Sequence, residues 1–377
     1  MPSSALGTFT RHSIANRSAC RLTEIDVSAD RRYEQFVASR PEAVIFQHRA
    51  WLQVLEREYG VHSLVLGCED QNRELVGVLP LFHTRGLPLG LGGALGCRRL
   101  SSLPRTPVAG PLAVNSAVTA QLLQGAIEYA GREPGLHLEI KTLHPLPAGI
   151  APALNPVSWR IFYMLDLPSR PEEIRFGNSN KHSQIKRGMG KALKQGLRPA
   201  LAETEAELAD WYAIYARTMQ RNRIMARSWR LFAAMWELLR PRNLMHLWLA
   251  KRNAEVVAGV LVLAYGGTAF YGFGGWREGA EYSHANDLLH WEAIHEACRL
   301  GFRSYDFGEV PEGDAGLAQF KSKWNTRAER LQRYYYPALT FSAADSRAHL
   351  RRVAKSLWQR MPNFAARRLS DWLYGYL

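Results

Sequence analysis

The feature that most constrains the fold is a pattern of one helix and two strands that occurs twice in this chain of 377 residues. The first copy begins with FQHRAWLQVLEREYG, apolar at helical spacing, and continues with the strands HSLVLGCE and ELVGVLPLF around the turn DQNR. The second begins with SWRLFAAMWELLR and continues with MHLWLAKRNAEVVAGVLVLAY, in which RNAE is the turn. Aligning LVGVL with VAGVL places Gly77 over Gly259. Because the order of elements is shared, the pattern favours duplication over a chance similarity of apolar strands.

Each copy continues with a further helix and strand. SAVTAQLLQGAIEYAGREPG leads into the strand LHLEIKTL, and ANDLLHWEAIHEACRLGF leads into the strand RSYDFGEV. The alternation predicts an α/β protein of two tandem units, each built around a mixed sheet. The predicted boundaries are residues 20–165 for the first unit and 166–342 for the second, with a basic helix at the start of the second. Residues 343–377 are predicted to form a basic amphipathic helical tail.

Positive charge is concentrated in two short segments. The net charge is +14, and residues 170–198 carry eight basic and two acidic residues, while 343–377 carry seven and two. Such clustering favours a polyanionic partner, namely RNA, a phosphate-bearing substrate or an anionic membrane. Solvated basic faces without any partner are the alternative.

The first basic segment contains the stretch NSNKHSQIKRGMGKALKQGL, in which apolar residues recur every four positions from Ile185 to Leu197. This spacing predicts an amphipathic helix that ends at Gly196. The remaining faces carry basic side chains, which we expect to line a phosphate-binding groove between the two units. These residues are Lys181, Lys186, Arg187, Lys191 and Lys194.

The second basic segment, 343–377, has an apolar stripe interrupted by arginines. A basic amphipathic helix of this kind can lie on an anionic membrane, or it can pack on its own domain. The N-terminal sequence lacks the apolar core of a signal peptide, and no stretch reaches the length of a charge-free membrane span. We therefore expect a cytoplasmic protein, or one peripheral at the inner face of the membrane. The cysteines and histidines show no metal-ligand spacing, so no metal and no tightly bound cofactor are predicted.

The densest chemical pattern lies near the end of the second copy. The strand RSYDFGEV delivers Asp306 and Glu309 to its carboxyl end, where ligands of mixed sheets gather. The segment FKSKW follows, and we interpret it as extended, with Lys321 and Lys323 on one side. A lysine near a carboxylate can stabilise an oxyanion while the carboxylate takes or relays a proton. For Asp306 a structural salt bridge is an equal alternative.

Further binding residues are predicted around this pattern. Ser283 or Asn286 can cap the helix that precedes the strand, so that its free amides face an anionic group. Asn286, Phe320, Lys323 and Trp324 are accordingly assigned to substrate binding, beside the candidate catalytic residues Lys321, Glu309 and Asp306.

The order of these motifs resembles the Fem-type peptidoglycan-bridge transferases and their relatives, which pair two acyltransferase folds of the GNAT type. The resemblance covers roughly residues 20–340 and rests on FQHRAWLQVLEREYG, LVGVLPLF, KRGMGKALKQGL, NDLLHWEAIHEACRLGFRSYDFGEV and GLAQFKSKW. It implies transfer of an aminoacyl or acyl group to an amine, with aminoacyl-tRNA as donor in Fem enzymes. The functional lysine of that family, which follows a phenylalanine, matches Lys321 after Phe320.

Two departures from the family pattern bear on the donor. The Q/R-x-x-G-x-G/A loop that holds the pyrophosphate of acetyl-CoA is replaced by WREGAEYSHANDL, and Asn325 stands where the family ending FKxxWG has glycine. Asparagine tolerates the left-handed conformation that such a glycine would take. We therefore expect aminoacyl-tRNA as donor, with acyl-CoA as the alternative, and a small-molecule or cell-envelope precursor as acceptor. A non-catalytic RNA- or envelope-binding adaptor with the same fold is a rival interpretation.

Overall fold

A computed structural model describes residues 20–86, 98–280 and 283–338, together with Ala365 and Arg368. The tail predicted at 343–377 lies outside the described ranges apart from these two positions. Within the described part, β-strands and α-helices alternate as the sequence predicts, and the α/β class is confirmed.

The strands of the described part form one mixed sheet. They are β1 (Arg21–Glu24), β2 (Leu64–Glu69), β3 (Leu75–Thr84), β4 (Arg99–Ser101), β5 (Leu112–Ala113), β6 (His137–Thr142), β7 (Asn155–Asp166), β8 (Arg198–Leu201), β9 (Met245–Arg252), β10 (Glu255–Tyr265), β11 (Thr268–Trp276), β12 (Ser304–Val310) and β13 (Arg327–Tyr336).

The α-helices of the described part mostly begin at a polar side chain that accepts a hydrogen bond from a first-turn amide, as expected of N-caps. The capping residues of this kind include Asp30, Asn115, Asn178, Thr204, Ser228 and Asp314. The helices are α1 (Arg31–Ser39), α2 (Arg49–Tyr59), α3 (Ser116–Gly131), α4 (Ser179–Lys194), α5 (Glu205–Arg221), α6 (Trp229–Leu238), α7 (Ala285–Arg299) and α8 (Ala315–Ser322).

The two predicted sheets are joined into one by an exchange of their last strands. The strand order is β1-β2-β3-β4-β6-β13-β7-β12-β11-β10-β9-β8, with β5 paired to β3. Strand β13, at the end of the second unit, lies between β6 and β7, and β7 in turn pairs with β12. The boundary near residue 165 therefore does not separate two independent sheets. If the chain were cut there, β6 of the first unit would lose its neighbour β13.

The duplication of element order is present in the structure. Each unit runs strand, two helices, an antiparallel hairpin, a further strand, a helix and a strand parallel to its neighbour, with β4 and β6 corresponding to β11 and β12. The predicted superposition of Gly77 on Gly259 is wrong. A Cβ at Gly77 would meet Val118 of α3, whereas one at Gly259 would meet Trp211 of α5. The two glycines thus accommodate helices on opposite faces of the sheet.

The sheet has two faces with separate cores. Helices α1, α2, α5 and α6 pack on the front face, together with residues such as Phe162 and Met164 of β7. Helices α4 and α7 pack on the back face in the second unit with Tyr163 and Leu165, and α3 packs on the back face in the first unit. Alternation along β7 sends its apolar side chains to both cores, as expected for a central strand.

The front helices of the two units are joined by a buried ion pair. Arg227, just before α6, donates to Glu58 of α2 at 2.6 Å, and the hydroxyl of Ser228 donates to the same carboxylate at 3.2 Å. The Glu58 side chain is 1% exposed. A second pair between the same helices, Arg57 with Glu237, is exposed.

We predict that Glu58→Ala lowers the free energy of unfolding by about 3–5 kcal/mol, because it removes the carboxylate that balances a buried guanidinium. Arg57→Ala, which breaks the exposed pair, should cost less than about 1 kcal/mol. Urea denaturation followed by circular dichroism measures both values. Equal losses in the two variants would contradict the assignment of the Glu58 pair as the buried link between the units.

Candidate active site

The candidate site lies where β11 and β12 part. These parallel strands pair from Thr268 with Ser304 to Phe270 with Asp306, and no β11–β12 pair is found beyond that point, although both strands continue. Ligands of open α/β sheets bind where neighbouring strands diverge at their carboxyl ends. Asp306, predicted as a site residue, is thus the last paired residue at the mouth of this gap.

An irregularity in β12 brings Asp306 and Glu309 to the same face. Asp306 pairs with Met164 and Glu309 with Phe162, so two residues of β12 lie opposite one residue of β7. Gly308 lies in this bulge with φ of 75° and donates its amide to Asp306 Oδ1 at 2.7 Å. A positive φ at this position favours glycine. The bulge therefore re-aims the second carboxylate onto the front face.

Lys321 is buried against this bulge. Its ammonium donates to the carbonyl oxygens of Gly308 at 3.1 Å and Glu309 at 3.0 Å, and the residue is 3% exposed. The predicted extended conformation of FKSKW is wrong, because Asp314 caps α8 and the segment up to Ser322 is helical. An ammonium has three donors, and among the described residues Lys321 uses two of them, so one N–H is left for a ligand.

The charges of Lys321 and Asp306 are both perturbed by burial. Burial lowers the pKa of Lys321 to about 8, although Asp306 and Glu309 act to raise it. Burial raises the pKa of Asp306 to about 6, opposed by the Gly308 amide and by Lys321. Both groups thus titrate close to neutral pH, where a small change in their surroundings moves a proton. A lysine and a carboxylate in this state suit acid–base chemistry.

The Glu309 carboxylate is held away from Lys321. Its Oε2 accepts from Trp159 Nε1 at 3.1 Å, and its Oε1 accepts from Arg160 at 2.7 Å. It is the backbone carbonyl of Glu309, rather than its side chain, that binds Lys321. Of the two predicted carboxylates, Asp306 is the one without an arginine partner at its oxygens among the described residues.

The other residues predicted near Lys321 have supporting positions. Trp324 is fully buried, and its ring packs against Phe176 at 4.9 Å, so it holds α8 to the back-face core rather than lining a cleft. Lys323 forms an ion pair with Asp287 and lies over the Phe320 ring at 4.4 Å. Asn325 takes the left-handed conformation, with φ of 63°, as predicted.

Of the two residues predicted to cap the helix before β12, Ser283 accepts a hydrogen bond from the first amide of the helix, and Asn286 lies inside the helix. Helix α7 begins after His284, which has φ of 58° and forms no side-chain cap, while the Ser283 hydroxyl accepts from the Ala285 amide at 3.3 Å. Asn286 lies in the first turn and is half-buried. Asp287, also in that turn, adds an acidic side chain to the helix start, and its carboxylate pairs with Lys323 and with His284.

The basic helix forms as predicted but at a different place. Helix α4 runs to Lys194, and Gly196 follows with φ of 81°. Its Gly188 fits closely against Asp287 and His284 of the α7 start, so α4 packs on the back of the second unit instead of between the two units. The five predicted basic side chains are exposed, and no ion pair is found for them in the described structure: Lys181, Lys186, Arg187, Lys191 and Lys194.

Sequence reasoning missed a second charged cluster at the matching position of the first unit. The last β4–β6 pair joins Ser101 to Glu139, just as the last β11–β12 pair joins Phe270 to Asp306. Glu139 accepts from Ser101 at 2.9 Å and from Tyr335 at 3.0 Å, and the charges of Lys141 and Arg333 help to hold its pKa low despite its burial. The sequence signal that could have revealed this cluster is the alternation of charged residues with apolar ones in the strand LHLEIKTL.

Lys141 fills the gap of the first unit. Counting from the last parallel pair, Lys141 corresponds to Gly308, and its ammonium donates to the carbonyl of Leu103 at 2.6 Å, just beyond β4. Burial lowers the pKa of Lys141 to about 8. In the second unit a glycine takes this position, so the corresponding gap is lined by backbone.

Comparisons with known proteins agree with this architecture. Residues 179–322 match the family described as acetyltransferase (GNAT) domain. Comparison with curated proteins gives no match. Among solved structures, FemX superposes with a TM-score of 0.64 at 15% identity, covering 83% of this chain and 96% of FemX.

Two further solved structures are also similar. The C-terminal domain of a putative lysylphosphatidylglycerol synthetase from Agrobacterium fabrum has a TM-score of 0.55 at 12% identity, covering 86% of this chain and 95% of that one. L-PGS from Bacillus licheniformis has a TM-score of 0.54 at 10% identity, covering 90% and 98%. The tandem GNAT fold implied by the Fem resemblance is thereby confirmed, and the GNAT match supports the prediction of an acyltransferase.

The described residues show neither a metal site nor a membrane span. No group of three or more histidine, cysteine, aspartate or glutamate side chains in these ranges is placed to hold a metal ion. No helix in the same ranges combines the length and the apolar character needed to cross a bilayer.

The raised pKa of Asp306 predicts a pH-dependent stability effect. The folded protein binds this proton more tightly than the unfolded chain, so the stabilisation is present below the unfolded pKa of 3.8 and is lost as the pH rises through about 6. Asp306→Asn should therefore raise the free energy of unfolding at pH 8 by up to about 3 kcal/mol. At pH 5 the gain should be smaller. Denaturation at both pH values measures it, and a gain that does not change with pH would contradict the perturbed pKa.

Proposed function

We propose that the protein is an N-acyltransferase that moves an aminoacyl or acyl group from an ester or thioester donor to an amine, at the gap between β11 and β12. The observation that carries the proposal is the buried Lys321 ammonium, with one N–H left unused, beside Asp306 at the mouth of that gap. Buried donors of this kind stabilise charge that develops in a transition state, since they need little reorganisation.

In the proposed reaction, the acceptor ammonium first gives a proton to Asp306. The neutral amine then attacks the carbonyl carbon of the donor, and the electron pair of the C=O bond moves to oxygen. The free N–H of Lys321 stabilises the oxyanion. When the C=O bond re-forms, the bond to the leaving oxygen or sulfur breaks, and the proton held by Asp306 passes to the leaving group. The attacking nitrogen then gives one of its two remaining protons to Asp306, which releases it to solvent. The products are an amide and the free alcohol or thiol.

The surroundings of the two carboxylates favour Asp306 over Glu309 as the proton acceptor. Glu309 is bound by Trp159 and Arg160, so both of its carboxylate oxygens already accept a hydrogen bond. Asp306 has a pKa near 6 because burial disfavours its charge. A group with a pKa close to the working pH transfers protons most effectively.

For the donor, we infer aminoacyl-tRNA in preference to acyl-CoA. The exposed cations of α4 lie beside the start of α7, and Arg187, Lys191 and Lys194 follow helical spacing along one stripe. Such a stripe suits an extended polyanion. The carboxylate of Asp287 in the first turn of α7 disfavours a pyrophosphate at the place where acetyl-CoA enzymes bind it.

For the acceptor, we infer an amine on a small molecule or a cell-envelope precursor. The fold shared with FemX supports an amine acceptor, as the Fem-type resemblance implies. A cytoplasmic protein that touches the anionic inner face of the membrane through residues 343–377 would be placed near such precursors.

The role of Lys321 is tested by Lys321→Ala. Loss of the oxyanion donor should reduce kcat by about 10²–10³-fold while the fold is retained. Lys251→Ala, which removes a lysine paired with Glu207 on the far side of the second unit, is the matched control and should leave kcat unchanged. Transfer of a radiolabelled acyl group measures both. Full activity of Lys321→Ala would exclude the proposed role.

The role of α4 is tested by replacing Lys186, Arg187 and Lys191 with alanine. Binding of charged tRNA should weaken, and the slope of log Kd against log salt should fall by about two to three units, because fewer counterions are released. A control with equal charge change replaces Arg57, Arg170 and Arg299, which are exposed and paired with carboxylates. An equal loss in both triple variants would contradict a specific α4 site.

The same binding series separates the candidate functions. Salt-sensitive binding of charged tRNA without binding of acyl-CoA supports the aminoacyl-tRNA donor. Saturable acyl-CoA binding with only weak tRNA binding favours an acyl-CoA enzyme. RNA binding without transfer to any amine favours the adaptor.

A further inference from the structure

A second bulge lies in β7, directly beside the bulge of β12. Arg330 of β13 pairs with Ile161 and Gln332 pairs with Ser158, so Trp159 and Arg160 together lie opposite Leu331. Without the extra residue, alternation would send neighbouring side chains to opposite faces. Bulges re-aim side chains and are frequent next to active sites. Here the bulge allows both Trp159 and Arg160 to reach the front face.

The two bulges meet at Glu309. The β7 bulge supplies the two donors that bind its carboxylate, Trp159 at 3.1 Å and Arg160 at 2.7 Å. The β12 bulge places Glu309 on the same face as Asp306. A regular pairing of these strands would not bring these side chains together. The contact of Glu309 with Trp159 and Arg160 therefore depends on the two bulges and not on regular strand pairing.

Cationic groups exceed carboxylates in this cluster. Arg333 of β13 bonds to Glu139 at 3.0 Å and lies 4.0 Å from Glu309, and its guanidinium stacks over the Trp159 ring at 3.7 Å. Lys141 lies 3.6 Å from Glu139. Arg99 also lies 3.6 Å from Glu139. Four cations thus lie around two carboxylates, so positive charge exceeds negative charge within the cluster. A partly buried excess charge of this kind favours an anionic ligand.

The cluster opens to solvent at Arg160. Side-chain exposure rises from 12% at Arg333 to 21% at Glu309 and 39% at Arg160. A guanidinium has five N–H donors, and among the described residues Arg160 uses one of them, for Glu309. Its remaining donors and the Trp159 ring are therefore available at the mouth of the cluster, on the face that carries Asp306.

We propose that Arg160, backed by Arg333 and Trp159, binds an anionic group, a carboxylate or a phosphate, carried by the acceptor amine. The inference rests on the proposed function, and it names a class of acceptor: an amine with a negative charge on the same molecule. With its anionic group at Arg160, the acceptor lies on the front face and directs its amine to Asp306. The donor then enters from the back face, where α4 and α7 lie.

The test uses matched pairs of small amines, lysine with lysinamide and phosphoethanolamine with ethanolamine. The wild type should transfer to one anionic member with kcat/KM about 10–100-fold above its neutral partner, the gain expected from a charge-assisted hydrogen bond. Whichever pair shows the preference identifies a carboxylate or a phosphate. Arg160→Gln should abolish the preference through a higher KM, with kcat little changed. Arg40→Gln, which also removes an arginine paired with one carboxylate, should keep the preference.

A second readout separates this inference from the proposed function. Calorimetry should show that the wild type binds the preferred anionic amine more tightly than its neutral partner and that Arg160→Gln does not. Such binding without any transfer would retain the anion site and overturn the acyltransferase proposal. Transfer with equal kcat/KM within both pairs, or with a preference that survives in Arg160→Gln, would overturn the anion site and leave the acyltransferase proposal standing.

Discussion

Insertion of β13 between β6 and β7 is the constraint on which the rest of the structure depends. Because of it, the two units cannot bury their last strands separately, and one sheet carries both front-face helix pairs. It also brings Arg333 from the end of the chain against Glu139 of the first unit and close to Glu309 of the second. The candidate site therefore lies in the second unit, beside the charged cluster around Glu139 of the first.

The two units use the same position of the duplicated fold in different ways. Each has a carboxylate at the last parallel strand pair and a buried lysine that donates to backbone carbonyls nearby. In the first unit the lysine comes from the strand itself, and Lys141 closes the gap with ion pairs. In the second unit Gly308 stands at that place, and Lys321 comes from α8. The structure thereby explains how a duplicated fold supports one candidate reaction centre while its counterpart stabilises the sheet.

The sequence predicts features that are local. Helical spacing predicted α4, which ends at Lys194, two residues before the predicted Gly196. The tolerance of asparagine for positive φ predicted the conformation of Asn325. The local motifs also predicted that Asp306 and Lys321 belong to one site. They placed Lys321 on an extended segment, whereas it lies in α8. They did not reveal the strand exchange, since pairing of β13 with β6 depends on residues far apart in sequence.

The bulges were also beyond sequence reasoning. Nothing in the strand WRIFYMLD shows that Trp159 and Arg160 share one face, because the shift depends on where β13 pairs. For the same reason Trp324 was assigned to binding, although its environment is the core behind α8. These differences all concern which face a side chain occupies, and that property is fixed by tertiary pairing.

The central claim is that Lys321 holds the carbonyl oxygen of the donor in the gap between β11 and β12. The most direct measurement is a crystal structure of the protein with a non-hydrolysable aminoacyl-adenosine analogue that mimics the end of a charged tRNA. The acyl carbonyl oxygen should lie about 3 Å from Lys321 Nζ, between the parted strands, with the face of the carbonyl that the amine attacks open toward Asp306. An analogue bound at the first unit, or one whose carbonyl does not reach Lys321, would contradict the account.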